Sequence, residues 1–177
     1  GGGPAMPSDV IWREIERTTK VKPVVVSMGT AAASGGYYIA SPGTRVFANP
    51  LTITGSIGIF YGKADVSELM RKLGVNVEVY KTAPRADAES IFRPFTDEEK
   101  IELKRKVWQF YDVFLQRVAE GRKLTKEQVD AVGQGRVWTG EQALAHKLVD
   151  ELGGLRQALA EARKLAGLPD HAPIQEL

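Results

Sequence analysis

A serine in a run of small residues is the group in this chain best suited to covalent chemistry. Ser34 lies within residues 31–40 (AAASGGYYIA), directly after residues 22–28, whose apolar pattern predicts a buried strand. A hydroxyl at a strand-to-helix junction lies beside unpaired backbone N–H groups, in the positive field of the helix N-terminus. This placement suits a nucleophile that attacks a carbonyl carbon. The same string equally fits a tight junction in which small residues serve only close packing.

A serine nucleophile needs a base, and the sequence offers few. Of the two histidines, His146 lies in a charged stretch and His171 in a proline-containing tail, so both are predicted to be surface residues and a Ser-His-Asp triad is disfavoured. A desolvated lysine amine can also accept a serine proton. Lys63 and Lys81 are the candidates within the chain, although their neighbours do not distinguish them from surface lysines.

Composition excludes several other kinds of site. The chain has no cysteine, which excludes thiol catalysis, disulfides and thiolate metal sites. It has no HExxH motif and no spaced His/Asp cluster, so neither a metal nor a cofactor is expected, and Asp87 and Glu89 are predicted to be solvated loop residues. A net charge of +2, from 24 basic and 22 acidic residues, gives no case for a nucleic-acid partner. No apolar run approaches the roughly 18–20 residues of a membrane span.

The first 95 residues alternate predicted helices and strands, which indicates an α/β domain with the nucleophile in this part. Ser8 is predicted to cap the first helix. Residues 81–95, with two prolines and no hydrophobic period, are predicted to form a loop. The other predicted elements are strands at 23–27, 45–48, 52–61 and 75–80 and a helix at 66–73.

Residues 96–177 are predicted to be helical and to serve packing or oligomerisation within the same single domain of 1–177. Thr96, Thr125 and Thr139 each begin a capping-box pattern, and the first of these starts a long helix that runs to Gly121. The apolar stripe of this helix is predicted to face a core or a subunit interface. A last amphipathic helix is predicted at 155–166.

Several motifs occur in the order typical of one peptidase family. They are residues 27–29 (SMG), 32–40 (AASGGYYIA), 49–50 (NP), 54–58 (TGSIG), 135–140 (GRVWTG) and 148–153 (LVDELG). Together they closely resemble the signal peptide peptidase A, or protease IV, family of serine peptidases. The resemblance covers nearly the whole chain, and several ordered motifs are more specific than any one alone.

The resemblance implies a ClpP/crotonase-like spiral of βαβ units with a C-terminal helical extension, and a Ser/Lys dyad that hydrolyses peptides. It implies that Ser34 is the nucleophile and that the N–H of Gly35, with that of Gly2 or Gly3, forms the oxyanion hole. Ser56 would hydrogen-bond the lysine amine and orient it toward Ser34. A hydroxyl that merely satisfies a break in a strand is an equally good account of Ser56.

One departure from the family pattern concerns the lysine. In single-length members the base lies about fifty residues after the serine, where this chain has Ala86. Arg85 cannot replace it, because arginine does not release its proton in proteins. The chain therefore resembles the C-terminal half of a double-length member, with the lysine supplied by an N-terminal half or a neighbouring protomer. Lys81 is the weaker alternative within the chain.

The resemblance also sets expectations about substrate and place. It implies cleavage of signal peptides at the membrane by a domain on the extracytoplasmic side, with the anchor outside this chain, and assembly into a homo-oligomer. A catalytically silent scaffold half and a crotonase-type acyl-CoA-binding domain are the alternatives.

Overall fold

Two small sheets form the framework around the serine junction. The computed structural model describes residues 1–176. Its strands are β1 (Val25–Ser27), β2 (Ala31–Ala33), β3 (Arg45–Ala48), β4 (Ile53–Gly55), β5 (Val137–Thr139) and β6 (Glu151–Leu152). One sheet has the order β1-β3-β6 with all strands parallel, and in the other β2 pairs parallel with β4, which pairs antiparallel with β5.

The helices follow several of the local signals in the sequence. They are α1 (Ala5–Thr19), α2 (Gly35–Ala40), α3 (Ser67–Lys72), α4 (Asp97–Arg122), α5 (Lys126–Val132), α6 (Gly140–Ala145) and α7 (Leu155–Leu165). The three predicted capping boxes are confirmed: the hydroxyls of Thr96, Thr125 and Thr139 accept from the amide three residues later, and the Glu or Gln side chain there accepts in return.

The first helix begins earlier than predicted. Pro4 precedes its first residue, and Ser8 is a buried residue inside α1 rather than its cap. The Ser8 hydroxyl donates to the Pro4 carbonyl oxygen at 2.9 Å, so it satisfies the preceding turn instead of the free amides at the helix start.

Two predicted strands were wrong in whole or in part. Residues 75–80 alternate apolar and polar but lie exposed outside any sheet, because alternation makes a strand only where a partner strand accepts its hydrogen bonds. The strand predicted at 52–61 is reduced to β4. It ends where Gly55 and Ser56 both adopt positive φ, which turns the chain away from the ladder.

The stretch predicted to be helical also contributes strands. β5 and β6 lie beyond residue 96, yet each forms an edge of one of the two sheets. The chain divides into two compact units, one of Gly1–Ile59 with the chain from Phe110 onward and one of Phe60–Gln109, so their boundaries differ from the division expected after residue 95. The α/β class is confirmed, and the spiral arrangement of βαβ units stays a prediction.

The core of the first unit lies between the sheets and the end of α4. Tyr111, Phe114, Leu115 and Val118 of the predicted apolar stripe are buried in it, whereas Trp108 is largely exposed. The Arg122 guanidinium binds Asp150 through two hydrogen bonds of 2.7 and 3.0 Å, and Asp150 also accepts from the Val46 amide. This ion pair ties the end of α4 to β3.

In the second unit, turns and loops surround α3 and the first turns of α4. The Lys63 ammonium donates to the carbonyl oxygens of Ala88 and Arg93 at 2.8 and 3.0 Å and lies 3.9 Å from the centroid of the Phe95 ring. One cation therefore holds both ends of residues 88–95, as expected for an ammonium with three donors.

Candidate active site

Ser34 occupies a strained turn between β2 and α2. Its φ of 53° and ψ of −123° lie outside the regions that side-chain-bearing residues ordinarily adopt. The Ser34 amide donates to the Gly55 carbonyl oxygen at 2.9 Å, and the Ser34 carbonyl oxygen accepts from the Tyr38 amide at 2.8 Å. The backbone is thus fixed on both sides of the serine, a geometry like that of serine nucleophiles displayed on a sharp strand-to-helix turn.

Gly2 and Gly3, here called the glycine strip, lie directly against this turn. A methyl group added to Gly2 would come within 3.2 Å of Ser34 Cβ and 3.6 Å of Ser34 Oγ. A methyl group on Gly35 would come within 2.8 Å of the Gly3 amide nitrogen and 2.6 Å of Ser8 Oγ. The absence of a side chain at Gly35 therefore permits this approach of one backbone to the other, and a side chain at Gly2 would be tightly packed against Ser34.

This approach brings together the amides that were predicted to form an oxyanion hole. Gly35 is the first residue of α2, and the N–H groups of a first helical turn have no acceptor within their own helix. On the neighbouring segment, Gly2 lies against the Ser34 side chain and the Gly3 amide nitrogen lies against Gly35. The arrangement can place backbone N–H donors from two segments around an oxygen bound near Ser34 Oγ.

Ser56 is the neighbour of Ser34 on the adjacent strand. In the register of β2 and β4, Ala33 is opposite Gly55, and each serine is the first residue after its strand. Ser56 has a φ of 49°, and its amide donates to the Arg136 carbonyl oxygen at 2.7 Å. The structure therefore brings together Gly2, Gly3, Ser34, Gly35 and Ser56, all within the first compact unit.

Both candidate lysines lie in the second unit and are engaged there. The Lys63 amine is held by the two carbonyl oxygens and the ring described above. The Lys81 amine donates to Asp87 at 3.0 Å and to the Pro84 carbonyl oxygen at 3.2 Å, and its side chain is partly exposed. Ala86 lies between these partners in the loop, where its side chain offers no proton acceptor.

Asp87 is not the solvated loop residue that the sequence indicated. Its side chain is 11% exposed and accepts from Lys81 and, through both oxygens, from Arg93. Arg93 also donates twice to Glu99, at 2.6 and 2.8 Å. The Arg93 hydrogen bonds hold the pKa of Asp87 well below its ordinary value and lower the pKa of Glu99 to about 2. Glu89, the other loop carboxylate, is exposed and accepts from the Tyr61 hydroxyl.

The loop around Ala86 borders an open cleft within the second unit. The cleft has a volume of about 380 Å³ and is lined by Lys81, Pro84, Arg85, Arg93, Thr96, Glu98 and Glu99. Sequence reasoning missed Arg93, the residue at the centre of its ionic network. The spacing of Asp87, Arg93 and Glu99 gives no helical or strand period that would have indicated the contact.

The histidines lie apart from these groups. His171 is exposed, as predicted, whereas His146 is half-buried with its ring 4.3 Å from that of Trp138. Among residues 1–176, no group of three or more His, Cys, Asp or Glu side chains is arranged to hold a metal ion. Within the same residues, no helix combines the length and the apolar character needed to cross a membrane.

Comparison with known sequences identifies the family of these motifs. A sequence profile described as Peptidase family S49 matches residues 16–169. Protease 4 of Salmonella typhi is 42% identical over 168 residues, which are 94% of this chain and 27% of that protein. The chloroplastic serine protease SPPA of Arabidopsis thaliana is 38% identical over 95% of this chain and 25% of its own length.

A shorter relative shows the same similarity. A putative signal peptide peptidase SppA of Enterococcus faecium is 34% identical over 98% of this chain and 51% of its own length. The chain thus spans about a quarter of the longer relatives and about half of this one.

Proposed function

Because the chain belongs to peptidase family S49, we propose that it is the nucleophile-bearing part of a serine peptidase and that Ser34 attacks the peptide carbonyl. The observation that carries this proposal is the strained Ser34 turn pressed against the Gly2–Gly3 strip. A backbone conformation that costs about 1–3 kcal/mol is retained where the surrounding structure enforces it, which is common at active sites. The protease names of the relatives support the same activity.

The proposed reaction proceeds through an acyl-enzyme. Ser34 Oγ bonds to the carbonyl carbon of the peptide while a lysine amine accepts the hydroxyl proton. The amides of Gly35 and of Gly2 or Gly3 hold the resulting oxyanion. The proton then passes to the leaving amine as the C–N bond breaks, and water hydrolyses the ester in a second cycle of the same steps.

The lysine is proposed to come from outside residues 1–177. Ala86 stands where single-length relatives of this type would carry it, and the amines of Lys63 and Lys81 are engaged within their own loops. A second domain of a longer chain or a neighbouring protomer would supply the base. Ser56, next to Ser34 in register, would accept a hydrogen bond from that amine and orient it.

The proposed substrates are signal peptides, cleaved at the membrane on the extracytoplasmic side by an assembly of several copies. The resemblance of the motifs and the name of the Enterococcus faecium relative, a putative signal peptide peptidase, support this part of the proposal. The half-buried Ser34 agrees with an extended peptide rather than a folded protein as substrate.

Covalent labelling tests the nucleophile. A fluorophosphonate should label the full-length protein at Ser34, and Ser34→Ala should abolish both labelling and peptide hydrolysis. Ser27→Ala, which removes a half-buried hydroxyl from β1, should leave both unchanged and is the matched control. Labelling elsewhere, or full activity of Ser34→Ala, would refute the proposal and favour a silent scaffold or an acyl-CoA-binding domain.

A separate substitution tests the base. Lys81→Ala should leave the activity of the full-length protein within about twofold if the lysine comes from elsewhere. A loss of activity comparable to that of Ser34→Ala would instead identify Lys81 as the base.

A further inference from the structure

Tyr38 links the nucleophile turn to the helix that follows the glycine strip. It lies one helical turn after Ser34, whose carbonyl oxygen accepts from the Tyr38 amide. Its side chain is buried, and its ring lies 4.7 Å from that of Phe114. The Tyr38 hydroxyl donates to Asp9 Oδ1 on α1 at 2.7 Å.

Asp9 is itself fixed from a third helix. The same oxygen, Asp9 Oδ1, accepts from Arg117 Nε on α4 at 3.1 Å, and the Arg117 guanidinium lies 4.2 Å from the centroid of the Trp12 ring. Burial and the Asp9 carboxylate raise the pKa of Tyr38, so its hydroxyl keeps the proton that it donates. Three helices therefore meet at one carboxylate oxygen.

The contact with Tyr38 lies near the start of α1, close to the residues that approach Ser34. Asp9 is in the second turn of α1, which begins at Ala5, and Ser8 beside it already touches Gly35. The Gly2–Gly3 strip leads into the same helix. Because Gly2 and Gly3 closely precede α1, a shift of this helix along α2 changes where their amides lie relative to Ser34 Oγ.

We propose that the hydrogen bond from Tyr38 to Asp9 sets the distance between the oxyanion-binding amides of Gly2 and Gly3 and the nucleophile Ser34. Tyr38 and Asp9 are then positioning residues that touch no substrate, and Arg117 holds the carboxylate in place. This inference rests on the proposed peptidase function, since it concerns the amides that would bind the oxyanion.

Removal of one oxygen atom tests the contact. In the full-length protein Tyr38→Phe should lower kcat about tenfold and change KM less than twofold. The loss is smaller than the roughly 100-fold that a displacement of about 1 Å at a reacting group costs, because packing against Phe114 remains. A peptide aldehyde, whose hemiacetal with Ser34 places its oxygen on the same amides, should bind about tenfold more weakly.

Tyr111→Phe is the matched control. The Tyr111 hydroxyl also donates to a carboxylate, Asp130 at 2.5 Å, but this pair joins α4 to α5. It should leave kcat and aldehyde binding within about twofold of wild type, whatever it does to thermal stability.

Changes on the other partner separate positioning from general stability. Asp9→Ala should reproduce the tenfold loss, and combining it with Tyr38→Phe should add little. Asp9→Asn keeps an oxygen acceptor and should restore kcat to within about threefold of wild type. These variants also decide the matter if Tyr38→Phe alone fails to fold.

The outcomes separate the two proposals. Equal kcat for Tyr38→Phe, Tyr111→Phe and wild type, or a change confined to KM, overturns the positioning role of Tyr38. The proposed peptidase activity is then still tested separately by Ser34→Ala. A wild-type protein that neither hydrolyses peptides nor reacts at Ser34 overturns both.

Discussion

Ser34 and Ser56 are adjacent across the parallel pair of β2 and β4, and both leave their strands with positive φ, 53° and 49°. Neighbouring strands lie about 4.8 Å apart, so the two hydroxyl-bearing residues begin from neighbouring points at the end of the same sheet. The Ser34 amide donates to the carbonyl of Gly55 in β4, and the Ser56 amide donates to the carbonyl of Arg136, which directly precedes β5. The sheet therefore enforces two unfavourable conformations side by side.

The strain at Ser34 predicts an unusual order of stabilities. Ser34→Gly should be more stable than Ser34→Ala by about 1 kcal/mol, because glycine adopts positive φ without steric cost. Both variants lack the Ser34 hydroxyl, so only the backbone preference differs between them. Urea unfolding would measure the two free energies.

The matched pair for this measurement is Ser27→Gly and Ser27→Ala. Ser27 lies in β1, where its φ is not positive. Its glycine variant should therefore be less stable than its alanine variant. The same order at both sites would contradict strain at Ser34.

Contact between the glycine strip and the turn predicts that Gly35→Ala impairs activity. The added methyl group would lie 2.6 Å from Ser8 Oγ and 2.8 Å from the Gly3 nitrogen, so the strip must move away from Ser34. We expect hydrolysis to fall at least 100-fold, comparable to the loss of one oxyanion donor, which is roughly 100–1,000-fold. Steady-state kinetics on a chromogenic peptide would measure it.

Gly29→Ala is the control for a glycine substitution that meets no neighbour. Apart from its own chain neighbours, no heavy atom of the described residues lies within 4 Å of the added methyl group there. It should keep wild-type kinetics, and equal behaviour of the two variants would argue against a tight fit at Gly35.

Introducing a lysine at position 86 is predicted to supply a base for the Ser34 hydroxyl. Ala86→Lys should give residues 1–177 measurable peptide hydrolysis that Ser34→Ala abolishes, since the family resemblance implies a lysine at this position in single-length members. Activity should rise with pH, because the amine must be neutral to accept the proton. Ala88→Lys, two residues along the same loop, is the control and should add no activity.

The ionic network of Arg93 predicts a pH dependence of stability. The pKa of Glu99 falls from 4.5 to about 2 in the folded protein, chiefly through hydrogen bonds from Arg93. A lowered carboxylate pKa stabilises the fold above the ordinary pKa, and that stability disappears as the pH falls through the folded pKa. Arg93→Met should therefore be less stable than wild type at pH 7, by an amount that shrinks between about pH 4.5 and 2.

Denaturant unfolding at several pH values would measure this convergence. Lys100→Met removes an exposed cation that pairs with Asp97 one turn away and serves as the control. A gap between Arg93→Met and wild type that stayed constant down to pH 2 would show that the network does not act through Glu99 or Asp87.

A buried hydrogen bond predicts the cost of Tyr37→Phe. The Tyr37 hydroxyl is fully buried and donates to the Leu148 carbonyl oxygen at 2.8 Å. Its removal leaves that carbonyl unpaired, at a cost of about 1–3 kcal/mol. Urea unfolding should show this loss, while Tyr80→Phe, at a largely exposed tyrosine, should change the free energy of unfolding by less than about 0.5 kcal/mol.

The parts of the fold that the sequence predicts well are those whose causes are local. Thr96, Thr125 and Thr139 begin helices because each threonine and the Glu or Gln three residues later satisfy one another's backbone amides. The strand at Arg45–Ala48 was predicted with the right bounds, since its apolar run ends at Asn49-Pro50. The contact of Gly35 with Gly3 followed only from the family resemblance.

The features that sequence reasoning missed depend on distant partners. β5 and β6 have three and two residues, which are too few to show a hydrophobic period. They form strands because they pair with β4 and β3, respectively. Residues 75–80 show the period but have no partner within their unit. Asp9, Tyr38 and Arg117 lie on three different helices, and no spacing in the sequence indicates that one carboxylate oxygen joins them.

The late position of β5 in the chain bears on how the protein is made. β5 pairs with β4, whose Gly55 carbonyl holds the Ser34 amide, so the sheet behind Ser34 is complete only after residue 139 has been synthesised. At the roughly 5–20 residues per second of translation, Ser34 waits several seconds between its own synthesis and the arrival of that strand. Until β5 arrives, the ladder that holds the Ser34 turn is incomplete, so the strained conformation of Ser34 is enforced only after residue 139 has been added.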